Sequence, residues 1–340
     1  MKIAQIVPSL KPTGPVNVAL DLAKTFRQLG HQVHFFYFDE LPGAVQEEAS
    51  KITLSQPVNW DGYDVVHSHG LRPDQYIRRH YRSMPITVST LHNYVRQELT
   101  FSYGKMVAAF FTPVWSWFCA KHDANVALSH HMKLYYFKFW RNQNLVHIPN
   151  TRIIDLKPNQ ERVAEVGKIA AGRKILGSVS HLTKRKGTKQ IFPFLEQNKD
   201  WVYVHIGGGN TQELIKKAAY FGVEDRCFFM GAKERGWEYA AAFDVFILPS
   251  YSEGFPLSLM EAVQIGVPVV CSGLPVFNEI FSPKEICLFE LENTKSLQQA
   301  VFKALTDKDE LVRNAKSRFE SEYHPTIVAK QYLELYNYLG

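Results

Sequence analysis

Two acidic residues stand eight positions apart in Pro249-Ser-Tyr-Ser-Glu-Gly-Phe-Pro-Leu-Ser-Leu-Met-Glu261, a segment that reads as a strand end, a tight loop and a helix start. That order fixes Glu253 and Glu261 around one helix N-terminus. The first-turn amides of a helix are unpaired and its dipole is positive there, so the terminus suits an anion. Carboxylates beside it can accept hydrogen bonds from hydroxyls. A sugar carried on a nucleotide offers phosphates and hydroxyls together. A helix cap with a surface carboxylate is the plainer use of the same residues.

A second charged segment, Gly177-Ser-Val-Ser-His-Leu-Thr-Lys-Arg-Lys186-Gly187, leaves another strand. Lysine placed there can stabilise charge developing on a leaving phosphate; a solvated basic loop is the bland alternative. In Thr13-Gly14-Pro15, Gly14 either permits close backbone approach to a ligand or only shapes a strand-to-helix turn. Asp64-Val-Val-His67-Ser-His69-Gly ends a buried strand, with His67 the better candidate for a core histidine. No second cluster at ligand spacing accompanies the two imidazoles, so a metal site is not expected. Gly207-Gly-Gly209 lacks the Gly-x-Gly-x-x-Gly spacing and follows the second strand of its unit, which argues against a dinucleotide fingerprint. Asp307-Lys-Asp309 lies in a charged helical stretch and reads as solvated surface.

The elements that must position these groups alternate between short β-type runs and helical stretches, the pattern of parallel sheets covered by helices. Ile3–Val7, Val33–Phe38, Asp64–His67, Ile86–Leu91, Ala124–Leu128 and Leu145–Ile148 read as one series of strands. Ile175–Val179, Val202–Ile206, Cys227–Met230, Val245–Leu248 and Val267–Cys271 read as a second. The polar stretch Thr151–Arg173 places the junction, giving domains at 1–155 and 156–322 with a final helix over 323–340. Loops at the carboxyl ends of the strands are expected to face a cleft and hold ligands.

Glu253-Gly-Phe-Pro with Glu261 resembles the Glu-x7-Glu signature of the family-four retaining glycosyltransferases, and the likeness extends over nearly the whole chain. The resemblance implies an α/β GT-B fold, two Rossmann-like doubly wound domains facing a central cleft. It implies acceptor binding by 1–155, nucleotide-sugar binding by 156–322, and a helix at 323–340 crossing back to the first domain. Glu253 would hold the transferred sugar, Glu261 the ribose and Lys186 the diphosphate, with His69 near the reacting sugar. Gly14, Gly208, Gly254, Phe255, Pro256 and Leu257 would complete the donor site. His181 stands where the family has an arginine, and Lys184 or Arg185 is near enough in sequence to supply that charge. The implied reaction is same-face attack with retention, without metal or other cofactor. A UDP-linked hexose or N-acetylhexosamine would pass to a glycan or lipid-linked glycan of a bacterial surface polysaccharide, such as O-antigen, lipopolysaccharide or capsule.

Composition sets bounds. With 340 residues, 46% hydrophobic and 21% charged, the chain reads as two ordinary globular domains. Cys119, Cys227, Cys271 and Cys287 match no disulfide or zinc spacing and read as reduced thiols. The start Met1–Leu10 lacks a signal-peptide core, which predicts a cytoplasmic protein. Met106–Ala120 is charge-free but short of a membrane span. Between Tyr94 and Arg141 aromatics are dense, including Trp115 and Trp117, and Arg78, Arg79 and Arg82 lie upstream. These residues suit an interfacial helix on anionic lipid, on the inner face of the membrane and the acceptor side, or an ordinary core with snorkelling lysines. No RNA-binding signature accompanies them, and nucleic acid is not an expected partner. Two rival readings remain: an epimerase acting on nucleotide sugars with this fold, and a nonenzymatic membrane or nucleic-acid binder.

Overall fold

Short runs of Val, Ile, Phe and Leu bury both faces of parallel strands, which is why they read as continuous apolar segments rather than alternating ones. The computed structural model describes residues 1–140 and 144–340, with only the backbone at Phe139; Arg141 of the aromatic stretch lies outside the described residues. Two compact units emerge, Met1–Ile153 with Glu322–Gly340, and Ile154–Ser321.

In the first unit, β1 (Lys2–Ser9), β2 (Gln32–Asp39), β3 (Ala49–Lys51), β4 (Val65–His69), β5 (Ile86–Leu91), β6 (Ala124–Ala127) and β7 (Leu145–His147) form one parallel sheet in the order β3-β2-β1-β4-β5-β6-β7. Its helices include α1 (Gly14–Gln28), α2 (Leu71–His80), α3 (Val95–Tyr103), α4 (Lys105–Cys119) and α5 (His130–Phe139). α1 buries Val18, Ala19, Leu22, Ala23 and Phe26 on the sheet, the 3.6-residue stripe its sequence carries. It ends at Leu29, and Gly30 follows at φ 86°.

The terminal helix Pro325–Leu339 belongs to this first unit. It buries Val328, Ala329, Tyr332 and Tyr336, and Tyr336 packs against Phe26 of α1 with ring centroids 6.0 Å apart.

In the second unit, β8 (Lys174–Val179), β9 (Trp201–Ile206), β10 (Cys227–Phe229), β11 (Val245–Leu248), β12 (Val269–Ser272) and β13 (Cys287–Phe289) run parallel in the order β10-β9-β8-β11-β12-β13. A core of Leu176, Ile191, Phe194, Trp201, Tyr203, Val245 and Val301 lies on one side of it. Both units are therefore doubly wound Rossmann-like sheets. In each, the strand order reverses beside the first strand, between β1 and β4 and between β8 and β11. Such a reversal parts the loops at the carboxyl ends and opens a crevice there.

β3 and β13, three residues each, escaped the sequence reading. Ala49-Ser-Lys is a polar edge with no apolar run to announce it. Strand β4 also reaches two residues past the expected His67, so His69 is the last residue of the ladder rather than part of the loop.

Candidate active site

At the reversal point of the second unit, the loop after β8 carries Lys186 and the loop after β11 carries Glu253. Gly187 lets them meet. It sits at φ +64°, and a Cβ there would lie 2.0 Å from the Pro249 carbonyl oxygen, so the two loops touch backbone to backbone. Gln190 Nε2 donates to that same oxygen at 2.7 Å, and Tyr251 N donates to Arg185 O at 2.8 Å.

Glu253 is buried at 4% exposure. Its Oε1 accepts from Lys186 Nζ at 2.7 Å and from Ser250 Oγ at 2.6 Å, and its Oε2 accepts from Arg185 at 3.3 Å. Burial pushes this carboxyl upward, but Lys186 first and Arg185 second more than reverse the push, so its pKa lies below the ordinary value. The ionised carboxylate faces two cations, and the cluster keeps one net positive charge. Gly254, Phe255 and Pro256 are buried behind it, and Leu257 opens the helix Leu257–Ile265, which carries no side-chain cap. Positive charge, helix amides and a fixed carboxylate thus converge on one crevice edge. Glu261 lies half-buried in the same helix.

The charge expected to replace the missing arginine is committed elsewhere. Arg185 donates to Ser252 O at 2.5 Å as well as to Glu253, and Lys184, largely exposed, pairs with Glu213 at 3.7 Å. His181 is exposed beside the turn after β9, where a Cβ on Gly208 would lie 3.7 Å from its Nδ1. Gly208 itself has room for a side chain; the turn depends on Gly207 and Gly209, at φ +140° and +127°, whose added Cβ atoms would strike Ser180 O and Leu182 O. Leu182 N donates to Gly208 O at 2.7 Å, so this turn and the His181 loop form one ledge.

At the corresponding point of the first unit, Gly14 begins α1 with nothing within 4 Å of an added Cβ, which leaves open backbone at that turn. His69 is fully buried. Its Nε2 donates to Gln5 Oε1 at 2.7 Å, leaving Nδ1 to accept from His92 Nε2 at 3.0 Å. Burial, with His67 and His92 adding to it, holds its pKa well below the ordinary histidine value, so it is a neutral imidazole. His92, half-buried one residue beyond β5, is the outermost of the set and was not singled out from sequence. A polar residue directly after an apolar strand was the available signal.

The aromatic stretch divides. Trp115 Nε1 donates to the buried Asp74 carboxylate at 2.7 Å, so it faces inward and not toward a membrane or acceptor, which corrects its grouping with Trp117. Arg78 and Arg79 close α2, which runs back from the end of β4, so the structure does not bring them to His69. Asp74, also unforeseen, accepts from Ser68 at 2.6 Å and Ser89 at 2.8 Å as well as from Trp115. Asp74, Cys119 and His122 lie close enough to hold a metal ion, but donors already fill both carboxylate oxygens and the Cys119 thiol pKa is pushed well up by burial.

Residues 159–320 match the family model described as "Glycosyl transferases group 1", and residues 12–152 match "Glycosyltransferase Family 4". The chain is similar to the O-antigen biosynthesis glycosyltransferase WclY of Escherichia coli, 28% identical over 357 positions that span 100% of this chain and 99% of the relative. It is also similar to the N,N'-diacetylbacillosaminyl-diphospho-undecaprenol alpha-1,3-N-acetylgalactosaminyltransferase of Campylobacter jejuni, 26% identical over 58% of this chain and 47% of the relative. Among solved structures, Anabaena HepE in complex with UDP and glucose superposes with a TM-score of 0.83 at 17% identity, over 99% of this chain and 100% of that one. Sucrose-phosphate synthase from Thermosynechococcus elongatus gives 0.84 at 17% identity, over 100% and 99%. These two likenesses are of fold: both are GT-B glycosyltransferases.

Proposed function

We propose, from the match of its two halves to the models "Glycosyl transferases group 1" and "Glycosyltransferase Family 4", that this chain is a glycosyltransferase that moves a hexose or N-acetylhexosamine from a UDP-linked donor to a growing glycan, with retention at the anomeric carbon. The observation that carries this reading is the Lys186–Glu253 pair, 2.7 Å long, at the reversal point of the second sheet and beside an uncapped helix N-terminus. Glu253 and Glu261 are the two acids of the Glu-x7-Glu pattern; the first orients the sugar and the second holds the ribose. The UDP seen with HepE supports the choice of base, and the O-antigen assignment of WclY supports a surface polysaccharide as product. The diphospho-undecaprenol in the Campylobacter relative's name supports a lipid-linked acceptor bound by the first unit.

The acceptor hydroxyl oxygen bonds to the anomeric carbon on the face that the phosphate oxygen leaves, and its proton passes to that phosphate. Lys186 and the amides of the helix Leu257–Ile265 balance the charge that builds on the diphosphate, so the reaction requires no metal. His181 adds no fixed guanidinium, and the share of that role it leaves falls to Lys186.

Incubating the protein with single UDP-sugars and lipid-linked acceptors, with and without EDTA, and assigning the product anomer by NMR tests each part. An inverted anomer removes retention; a product that needs no acceptor assigns an epimerase instead.

A further inference from the structure

Gln190 joins three loops of the second unit through one side-chain amide. It lies on the 3₁₀ turn Thr188–Ile191, just past Lys186 and Gly187, and is buried at 6% exposure. Its Nε2 donates to Pro249 O at 2.7 Å and, at the longer distance of 3.4 Å, to Gly187 O. Its Oε1 accepts from Glu292 N at 2.8 Å. A backbone N–H only donates and a carbonyl only accepts, so these partners fix which end of the amide is oxygen. Both amide hydrogens and the oxygen are engaged, on the loop after β8, the loop after β11 and the loop after β13.

The third loop is held in a costly conformation. Glu292 stands at φ 60°, a left-handed backbone that a residue other than glycine keeps where its surroundings impose it. Gln190 takes its N–H, its carboxylate accepts from the Tyr251 hydroxyl, and Lys189 Nζ lies 3.6 Å from it. Tyr251 belongs to the β11 loop. The contacts therefore close a ring: Gln190 to Pro249, along the chain to Tyr251, across to Glu292 and back to Gln190.

Lys186 and Glu253 both leave this ring, Lys186 four residues before Gln190 and Glu253 two residues after Tyr251. The β11 loop is tied by side chains at two successive carbonyls just ahead of the glutamate, Pro249 by Gln190 and Ser250 by Ser272 Oγ at 2.6 Å. Of these two ties, the one from Gln190 also reaches the segment that carries Lys186. Its loss lets the two loops drift, and a drift of about 1 Å in a catalytic group costs as much as about 100-fold in rate.

We propose that Gln190 is a positioning residue for sugar transfer, holding the Lys186 segment against the Glu253 loop at the distance where ammonium and carboxylate meet. The effect on turnover rests on the donor-site reading of that pair; the effect on Lys186 itself does not. Gln190→Met keeps the length and apolar packing of the side chain and loses all three hydrogen bonds. Gln190→Glu keeps the acceptor for Glu292 N and sets a carboxylate against two carbonyls. The full chain is compared below all melting temperatures. Acetic anhydride labelling of Lys186, read by mass spectrometry, should quicken about 10-fold in both variants at pH 8 as the ammonium parts from its carboxylate, while Lys174 at the start of β8 labels at the wild-type rate. With UDP-sugar and acceptor, kcat should fall about 10- to 100-fold while KM for the donor stays within about twofold. In Gln190→Glu the kcat ratio to wild type should recover from pH 8 to pH 6, because a protonated carboxyl regains a donor for Pro249 O. Should Gln190→Met not fold, Gln190→Glu at the two pH values carries the test. Unchanged Lys186 labelling overturns the proposal, as does a raised KM with unchanged kcat. A wild-type chain inert toward every UDP-sugar counts against the donor reading alone, and Lys186 labelling then decides this one.

Discussion

Lys186 Nζ and Glu253 Oε1 lie 2.7 Å apart although 67 residues separate them, because two βα loops of one sheet touch at Gly187. The pair is a stability element as well as part of the proposed donor site. Lys186→Ala leaves a buried carboxylate with Arg185 and Ser250 alone, and loss of one partner in a buried pair costs about 3 kcal/mol. The folded pKa of Glu253 lies below its ordinary value. Its contribution is therefore present above the unfolded pKa of about 4.3 and is lost as pH falls through the folded value. In Lys186→Ala the burial push is opposed by less charge, so the stability loss relative to wild type should shrink on acidification from pH 6 to pH 4. Urea midpoints across that range check it, and kcat should fall about 100-fold or more. A variant of wild-type stability at pH 6 would show that the ion pair holds nothing together.

Gly187→Ala should be far worse than Gly208→Ala. At 187 the new methyl meets the Pro249 oxygen in a left-handed backbone, so the loops must part, at a cost of about 2–4 kcal/mol and loss of Lys186 from the site. At 208 the nearest atom to an added methyl is 3.6 Å away, and the cost should stay below about 1 kcal/mol. Thermal melts with and without UDP separate the two: only Gly208→Ala keeps a ligand-induced rise.

The sheets were legible because a strand buried on both faces needs an unbroken run of branched residues, as in Val202–Ile206. The candidate site was legible where chain order fixes position: Glu253 in the loop after β11 and Lys186 in the loop after β8. What sequence did not carry was pairing across distance. Arg185 reads as a spare cation until its guanidinium is seen on Ser252 O and Glu253. Gln190, Gln5 and Asp74 have no local pattern, because their partners come from loops and strands remote in the chain. Trp115 and Trp117 read alike as aromatics, and only the two-residue offset around α4 sends one to Asp74 and the other outward.

Asp74→Asn tests the anchor beneath α4. Ser68, Ser89 and Trp115 donate to the carboxylate at 2.6–2.8 Å, and Cys119 lies at 3.6 Å. An amide supplies one acceptor oxygen and turns an N–H toward a group that also donates. The expected cost is about 2–4 kcal/mol. Hydrogen exchange should quicken along Lys105–Cys119 before the rest of the first unit; unchanged exchange there would mean that apolar packing alone holds α4.

His67 ties the terminal helix to the sheet and makes the first unit acid-sensitive. Its Nδ1 meets the Tyr336 hydroxyl at 2.7 Å, its Nε2 meets Thr90 Oγ1 at 2.8 Å, and Thr90 in turn meets the Tyr332 hydroxyl at 2.9 Å. Burial, with His92 and His122 adding to it, lowers the His67 pKa to about 3. The unfolded chain binds a proton near pH 6.5 that the folded chain refuses, so stability rises with pH between those values and falls on acidification. From pH 7 to pH 5 this single imidazole should cost about 2 kcal/mol, and His69, also lowered, pulls the same way. His67→Gln removes the titrating group, so its loss over that interval should be smaller than wild type by about that amount. Tyr336→Phe keeps the imidazole and strips its Nδ1 partner, costing about 1–2 kcal/mol at pH 7 while leaving the acid slope in place. Equal slopes for wild type and His67→Gln would assign the acid sensitivity to other groups.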